Sequence, residues 1–483
     1  MAKKPTKAAL SAQSLETLGA TRLAEILMEL GEGDAGIKRL LKLELAVNVS
    51  PQEAEREIAK RLATIGRSRS YVEWHNTKAF AADLDQQRKA IVGQVGKASP
   101  ALGLDLMWRF LGLADSVFAR CDDSNGTISN LFRVAVTDLG PIALAAKVDP
   151  EALAGDVFAQ LKTSDYGHRD ELIATLAPAL GPDGLNALKR LVEAYGAEKR
   201  EQPAKKDRRV IGWGSGGEIY ADEIEERSRQ STVRHALQQI ADALGDVDSF
   251  AAQYSAEARR VPGIAAEIAL RLLSAGRADE ALTMLDRAER RRTNAPFPEF
   301  DWDDARIAVL EALGRKDEAQ AVCWACFAGF LSTGHLRAYL KQLPDFDDVE
   351  AERRALDLAA SFRSVHHALH FLVEWPDLER AARLVATRAK ELDGDFYQVL
   401  SPAADALSTR YPLAATRLLR LMIDHTLENA KSGRYKHAAR HLLECQSLAG
   451  TIASFDPLEP HAEYLARLKK DHGRKSGFWS LVT

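Results

Sequence analysis

The chain has 483 residues, 46% hydrophobic and 28% charged, proportions that exclude a disordered or fibrous protein and supply material for more than one core. Lys and Arg number 65 against 69 Asp and Glu, which excludes the strong overall basicity of a dedicated nucleic-acid binder and leaves only local patches to consider. Four scattered cysteines do not form a disulfide framework and are expected as thiols in a reducing cytoplasm.

Residues 1–12, MAKKPTKAALSA, are basic and lack the apolar run of a secretory signal, so a flexible start and a cytoplasmic location are expected. No stretch approaches the roughly 18 uninterrupted apolar residues of a membrane span, and no membrane partner is expected. From 13 to 195 apolar residues recur at helical spacing, as in RLAEILMELGEGDAGIKRLLKLELA and GLDLMWRFLGLADSVFARC, while strand-like alternation is nearly absent. Helix starts are explicit. Ser50 can accept from the backbone as N-cap, Pro51 suits a first turn that needs no N–H, and Glu53 holds the capping-box position. Ser99-Pro100, Asp149-Pro150 and Ser401-Pro402 repeat the device.

Charge clusters and glycines then replace the periodic pattern in GAEKREQPAKKDRRVIGWGSGGEIYADEIEERS, residues 196–228, which reads as a linker between two domains. Gly212, Gly214 and Gly217 match the spacing of a dinucleotide fingerprint, but only RRVI precedes them where that motif requires a buried strand. Trp213 and Tyr220 stand out in this polar segment. They either anchor it on a helical domain or present a docking motif to a partner.

Residues 229–470 carry an internal repeat. GRADEALTMLDRA begins at Gly276 and GRKDEAQAVCWAC at Gly314, close to the period of about 34 of tetratricopeptide helix pairs, and GRYKHAARHLLEC from Gly433 is a more distant copy. A small residue follows each glycine where two helices must approach: Ala281, Ala319 and Ala438. Four and seven positions further on stand Leu285 and Ala288, Cys323 and Cys326, and Leu442 and Cys445. The cysteines thus occupy slots that Leu and Ala fill elsewhere, and core packing explains them without a metal or a redox pair.

Other candidate chemistry is sparse. His366 and His370, like His437 and His441, are four apart on predicted helices, but neither pair has the Glu of a zinc protease, and they read as exposed helix-face residues. Asp301, Asp303 and Asp304, and again Asp345, Asp347 and Asp348, fall at predicted helix N-termini, where carboxylates complement the dipole. No cofactor motif is present, and none is expected. Two stretches combine cations with aromatic faces: Arg67 and Arg69 beside Tyr71 and Trp74, and Lys469, Lys470, Arg474 and Lys475 beside Phe478 and Trp479. Arg67, Arg69, Trp74, Arg474, Lys475 and Trp479 are therefore candidate contacts to a protein partner or to nucleic acid. The same features describe a helix end with a tail docked on its own protein.

Over most of its length the chain resembles an uncharacterised family of proteobacterial helical proteins of unknown function. The resemblance is carried by LETLGATRLAEILMEL, RSRSYVEW, LDLMWRFLGLADSVFAR, YPLAATRLLRLMIDHTLENAKSGRYKHAARHLLE and HGRKSGFWSLV. The last two stretches also resemble the helical region that follows the zinc module in bacterial SWIM zinc-finger proteins. The Cys-x-Cys and Cys-x-His of that module are missing here, so zinc and zinc-borne DNA binding do not carry over. The resemblance implies a fold and no activity.

The expectation is an all-α chain, an α-solenoid of helix pairs that is tetratricopeptide-like from 229 to 470 and ends in a tail, 471–483. Such a stack offers an extended face for a protein or peptide, so a non-catalytic scaffold is expected. The alternatives are a nucleic-acid-associated accessory protein and an enzyme whose site is assembled from distant helices.

Overall fold

A computed structural model describes residues 10–163, 167, 169–199, 203–204, 207–214, 216–289 and 299–482. Most of the expected basic start, 1–9, lies outside the described residues. The fold is all-α, and the only strands among the described residues form one two-stranded hairpin. The chain divides into two compact units, Met1–Ser255 and Ala256–Thr483.

In the first unit the principal helices are Gly19–Gly33, Ala35–Val49, Pro51–Arg67, Trp74–Ala90, Pro100–Leu111, Thr127–Ala146, Pro150–Leu161, Leu172–Ala197 and Ala221–Leu244. The caps work as the sequence leads one to expect at two sites. Ser50 accepts from Glu53 N at 3.1 Å and Asp149 from Ala152 N at 2.8 Å. Ile58, Leu84, Met107, Phe110, Phe132, Leu139, Leu176 and Leu188 form a continuous core. Helix Thr127–Ala146 is long and apolar enough to cross a bilayer, yet Ile128, Phe132, Val136, Leu139 and Ile142 on it are buried in that core. Two helical segments cross closely at Gly103, where a Cβ would lie 2.6 Å from Gly96 Cα, so only glycine permits the approach.

The described residues of the 196–228 segment lie within the first unit. It holds the hairpin Val210–Gly214 and Gly217–Tyr220, and then the start of helix Ala221–Leu244, which packs along Leu172–Ala197. The apolar pattern fades there because the first turns of Ala221–Leu244 are held by charge. Arg229 is buried, paired with Glu226 at 2.6 Å, and donates to the carbonyls of Tyr195 and Gly196.

That contact recurs as a device throughout the chain. The last carbonyls of a helix have no partner within it. Here arginines remote in sequence supply one: Arg120 donates to Ile65 O at 3.1 Å, Arg169 to Leu111 O at 3.2 Å and Gln160 O at 3.1 Å, Arg388 to Ala360 O at 3.3 Å, and Arg417 to Ala386 O at 3.0 Å. Each guanidinium also brings positive charge to the negative end of a helix dipole, and so ties one helix terminus to another element.

In the second unit short helices follow one another from Pro262–Ser274 to Ser476–Trp479, most packing on the sequence neighbour and several on the next but one. Gly276 and Gly314 both take a left-handed backbone, φ +76° and +72°, ahead of helices Ala278–Asp286 and Lys316–Phe330. Both copies then place the same ion pair, Arg277–Glu280 at 2.7 Å and Arg315–Glu318 at 2.6 Å. Ala281, Ala319 and Ala438 are buried, as are Leu285, Leu442, Cys323, Cys326 and Cys445. Ala288 falls beyond its helix and is only half-buried. The paired cysteines fill the core. Ser401-Pro402 does not start a helix: the helix runs from Tyr397 to Leu407 and contains Pro402, because burial of Leu400, Ala403, Ala404 and Leu407 favours one continuous element.

Candidate interaction sites

The hairpin of the first unit pairs Val210 with Tyr220, Gly212 with Ile219, Trp213 with Glu218 and Gly214 with Gly217. Gly217 turns the chain at φ +112°, a conformation closed to side-chain-bearing residues, and Ile219 lies across the bare faces of Gly212 and Gly214. Two strands alone are marginally stable in water, so the base must be held. Arg208 does this. Its guanidinium sits 3.9 Å from the centre of the Tyr220 ring, and it bonds Asp222 at 3.0 Å and Glu223 at 2.6 Å. Those hydrogen bonds, to Asp222 first, keep the guanidinium pKa above its ordinary value, while the bond to Glu218 raises that of the Tyr220 phenol. Tyr220 is thus the anchor, and Trp213, 76% exposed, is displayed beside exposed Ile211 and Val210. The Gly212, Gly214, Gly217 pattern serves this hairpin.

The first basic-aromatic stretch is a fixed loop. Val72 bridges to the chain at Cys121 through Val72 N to Arg120 O, 2.8 Å, and buried Arg120 donates to Ser70 O at 3.2 Å while resting on the Phe80 ring. On this support Arg67, Arg69, Tyr71 and Trp74 are all exposed, Trp74 to 73%. Arg67 turns back to donate to Ala63 O at 3.2 Å.

The C-terminal stretch uses its aromatics internally. Phe478 is fully buried against Tyr435 and Trp479, with ring centres 6.0 and 5.0 Å away. The Trp479 indole N–H donates to His472 O at 2.9 Å. Trp479 is therefore a packing residue. Arg474 remains exposed and Lys475 half-buried.

Three polar constellations were not legible in the sequence. Ser332 Oγ lies 2.7 Å from His335 Nδ1, and His335 Nε2 lies 3.0 Å from Asp304, the connectivity of a hydrolase triad. The same Ser332 oxygen, however, accepts from His335 N as the N-cap of helix Thr333–Lys341, and the buried imidazole is packed on Phe300. The arrangement clamps two helices. A second group surrounds Asp395, which takes Lys431 at 2.7 Å and Arg434 at 2.6 Å, with His425 at 3.4 Å; hydrogen bonds from Lys431 and Arg434 hold its pKa at about 2. In the third, Tyr464 donates to Asp424 at 3.0 Å, Arg467 pairs with Asp424 at 3.3 Å, and buried Arg420 faces the Tyr464 ring. Burial raises the Asp424 pKa, opposed by Arg467.

The histidines of the two pairs differ in setting. His366 accepts from Asp393 N at 3.0 Å and stacks on Phe396, His370 approaches Glu374, and His441 is buried beside Glu444 while His437 is exposed. So only part of this set lies on exposed helix faces as expected. Among the described residues no three His, Cys, Asp or Glu are grouped to hold a metal ion. A cavity of about 580 Å³ in the first unit is lined by Asp149, Glu151, Asp183, Lys189, Arg190 and Glu193, and one of about 470 Å³ in the second by Tyr339, Asp347, Glu350, Arg353, Arg354 and Asp357. Each mixes charges of both signs.

Residues 5–481 match a family described as a family of unknown function, DUF6880. No curated protein matches the chain.

Proposed function

We propose that this chain, which belongs to the DUF6880 family of unknown function, is a non-catalytic scaffold that binds a protein partner. The observation that carries this reading is the displayed Trp213 on its fixed base. An exposed tryptophan held by a pre-organised support is what concentrates binding energy at protein interfaces, because little conformational freedom is lost on docking. The helices of the second unit support a finer form of the proposal, a tetratricopeptide-like solenoid of helix pairs whose surface extends the contact. Four buried thiols agree with a cytoplasmic setting, and a bacterial source belongs to the same proposal. The resemblance of the last stretches to the helical region of SWIM proteins belongs to the same proposal and concerns fold alone.

A second reading, a nucleic-acid-associated accessory role, rests on the exposed Arg67, Arg69 and Trp74 loop. Affinity purification from native cells with nuclease, comparing the wild type with Trp213→Ala, separates the two. A stoichiometric protein that survives nuclease and is lost with Trp213→Ala is the expected result. Identical protein sets with both baits would refute the role of the hairpin. Nucleic acid retained at low salt and lost on Arg67→Ala with Arg69→Ala would favour the second reading.

A further inference from the structure

The end of the second unit carries a basic stretch whose charges are not matched. Between 469 and 482 stand Lys469, Lys470, Arg474 and Lys475, against Asp471 alone. Lys469, Lys470 and Arg474 are exposed and Lys475 half-buried, and among the described residues none of the four forms an ion pair. Arg467, just before them, is by contrast held by Asp424 and Glu459. The dipole of helix His461–His472 accounts for Lys469 and Lys470 in its last turn, but not for Arg474 and Lys475, which lie beyond it.

The support of these cations is fixed. At Gly473 a Cβ would lie 2.5 Å from Lys469 O, so only glycine lets the chain turn this tightly off the helix. Lys475 N and the Trp479 indole both donate to His472 O, at 3.0 and 2.9 Å, and buried Phe478 pins the next turn to Tyr435. Exposed Lys436 follows Tyr435 on the neighbouring helix. The cations therefore need little ordering to dock.

Charge and the placement of the rings indicate the ligand. Cations with so little carboxylate to match them call for a polyanion. Single-stranded nucleic acid needs aromatic faces for its bases, and a membrane surface needs an apolar wedge. The rings that would serve, Phe478 and Trp479, are packed inward. A duplex presents its phosphates in a fixed array and requires neither. We infer that the turn at 469–475 binds the phosphate backbone of double-stranded nucleic acid without reading its sequence. This site lies in the second unit, whereas the Trp213 hairpin and the Arg67 loop lie in the first, so it can fail without either.

Fluorescence anisotropy of a labelled duplex of about 20 base pairs, titrated with the full chain, tests it. About three to four phosphate contacts predict binding at about 50 mM salt that weakens roughly 40- to 150-fold by about 200 mM. Lys469→Gln with Lys470→Gln, and separately Arg474→Gln with Lys475→Gln, should each reduce the slope of log K against log salt by about two, with helical circular dichroism unchanged. A single strand of the same length should bind less tightly, and Arg67→Gln with Arg69→Gln should leave duplex binding as it is. No binding at about 50 mM salt with about 100 µM chain overturns the inference. So does binding indifferent to both tail variants, a preference for the single strand, or attachment to phosphatidylserine vesicles in place of the duplex.

Discussion

Phe478→Ala examines how the chain end is held. The ring is fully buried at the T-shaped contact with Tyr435, and the short helix Ser476–Trp479 that carries it packs on helix Tyr435–Ala449. Removing a buried phenylalanine costs about 3–5 kcal/mol through lost burial and the cavity left behind. Because the ring is carried on a helix of only four residues, local detachment relieves most of that cost without unfolding the unit. A loss of about 3 kcal/mol corresponds to roughly a hundredfold rise in the open population. Hydrogen exchange reads this at the amides of Phe478 and Trp479, which bond Lys475 O at 2.9 and 3.2 Å. Exchange there should accelerate by about two orders of magnitude, and trypsin should cut more readily after Arg474 and Lys475. Exchange and cleavage rates within about threefold of wild type would refute a docked tail and free Phe478 for a partner.

Four further outcomes are expected. Arg169→Met leaves the Leu111 and Gln160 carbonyls without their donor and should cost about 3 kcal/mol in urea unfolding of the first unit; a change below about 1 kcal/mol would deny the arginine caps their weight. Because the Asp395 pKa is depressed to about 2, its stabilisation is complete above the usual carboxylate pKa of about 3.9 and fades as pH falls toward 2. Asp395→Asn should therefore flatten the acid side of the Tm–pH curve between those limits, and curves that stay parallel to wild type would contradict the pairing. Burial pushes the Cys445 thiol up to about 12 and Cys323 to about 11, so neither should react with a thiol reagent at pH 8 until the protein unfolds; rapid native modification would argue for an accessible redox role. Ser332, employed as a helix cap, should resist a fluorophosphonate probe, whereas labelling abolished by His335→Ala would reopen the enzymatic alternative.

What the sequence shows plainly is local. Ser50 and Asp149 cap where their side chains predict, and Gly276 and Gly314 stop helices where only a left-handed residue fits. Counting from Ala281, Ala319 and Ala438 places the cysteines in the core. Contacts between remote residues are not legible in this way. Nothing in the spacing of Arg120, Arg169 or Arg229 distinguishes a buried cap from a solvated surface arginine, because the carbonyls they serve lie more than thirty residues away or across a turn. Trp213 and Tyr220 look alike in sequence, and the clamp by Arg208 assigns one to the base and leaves the other outside. A periodic stripe such as Leu23, Ile26, Leu27 and Leu30 tells which helix face is apolar and is silent on what lies against it. The hairpin itself escaped because its glycines removed the alternation that marks a strand.

The most direct test places a photo-crosslinking residue at Trp213 in the intact chain, illuminates native cells, and compares the products with those from the same residue at exposed Lys470. The account predicts one discrete protein adduct specific to position 213, and its loss when Arg208→Ala releases the hairpin base. No adduct at 213, or the same adducts from both positions, would contradict a partner-binding role for the hairpin.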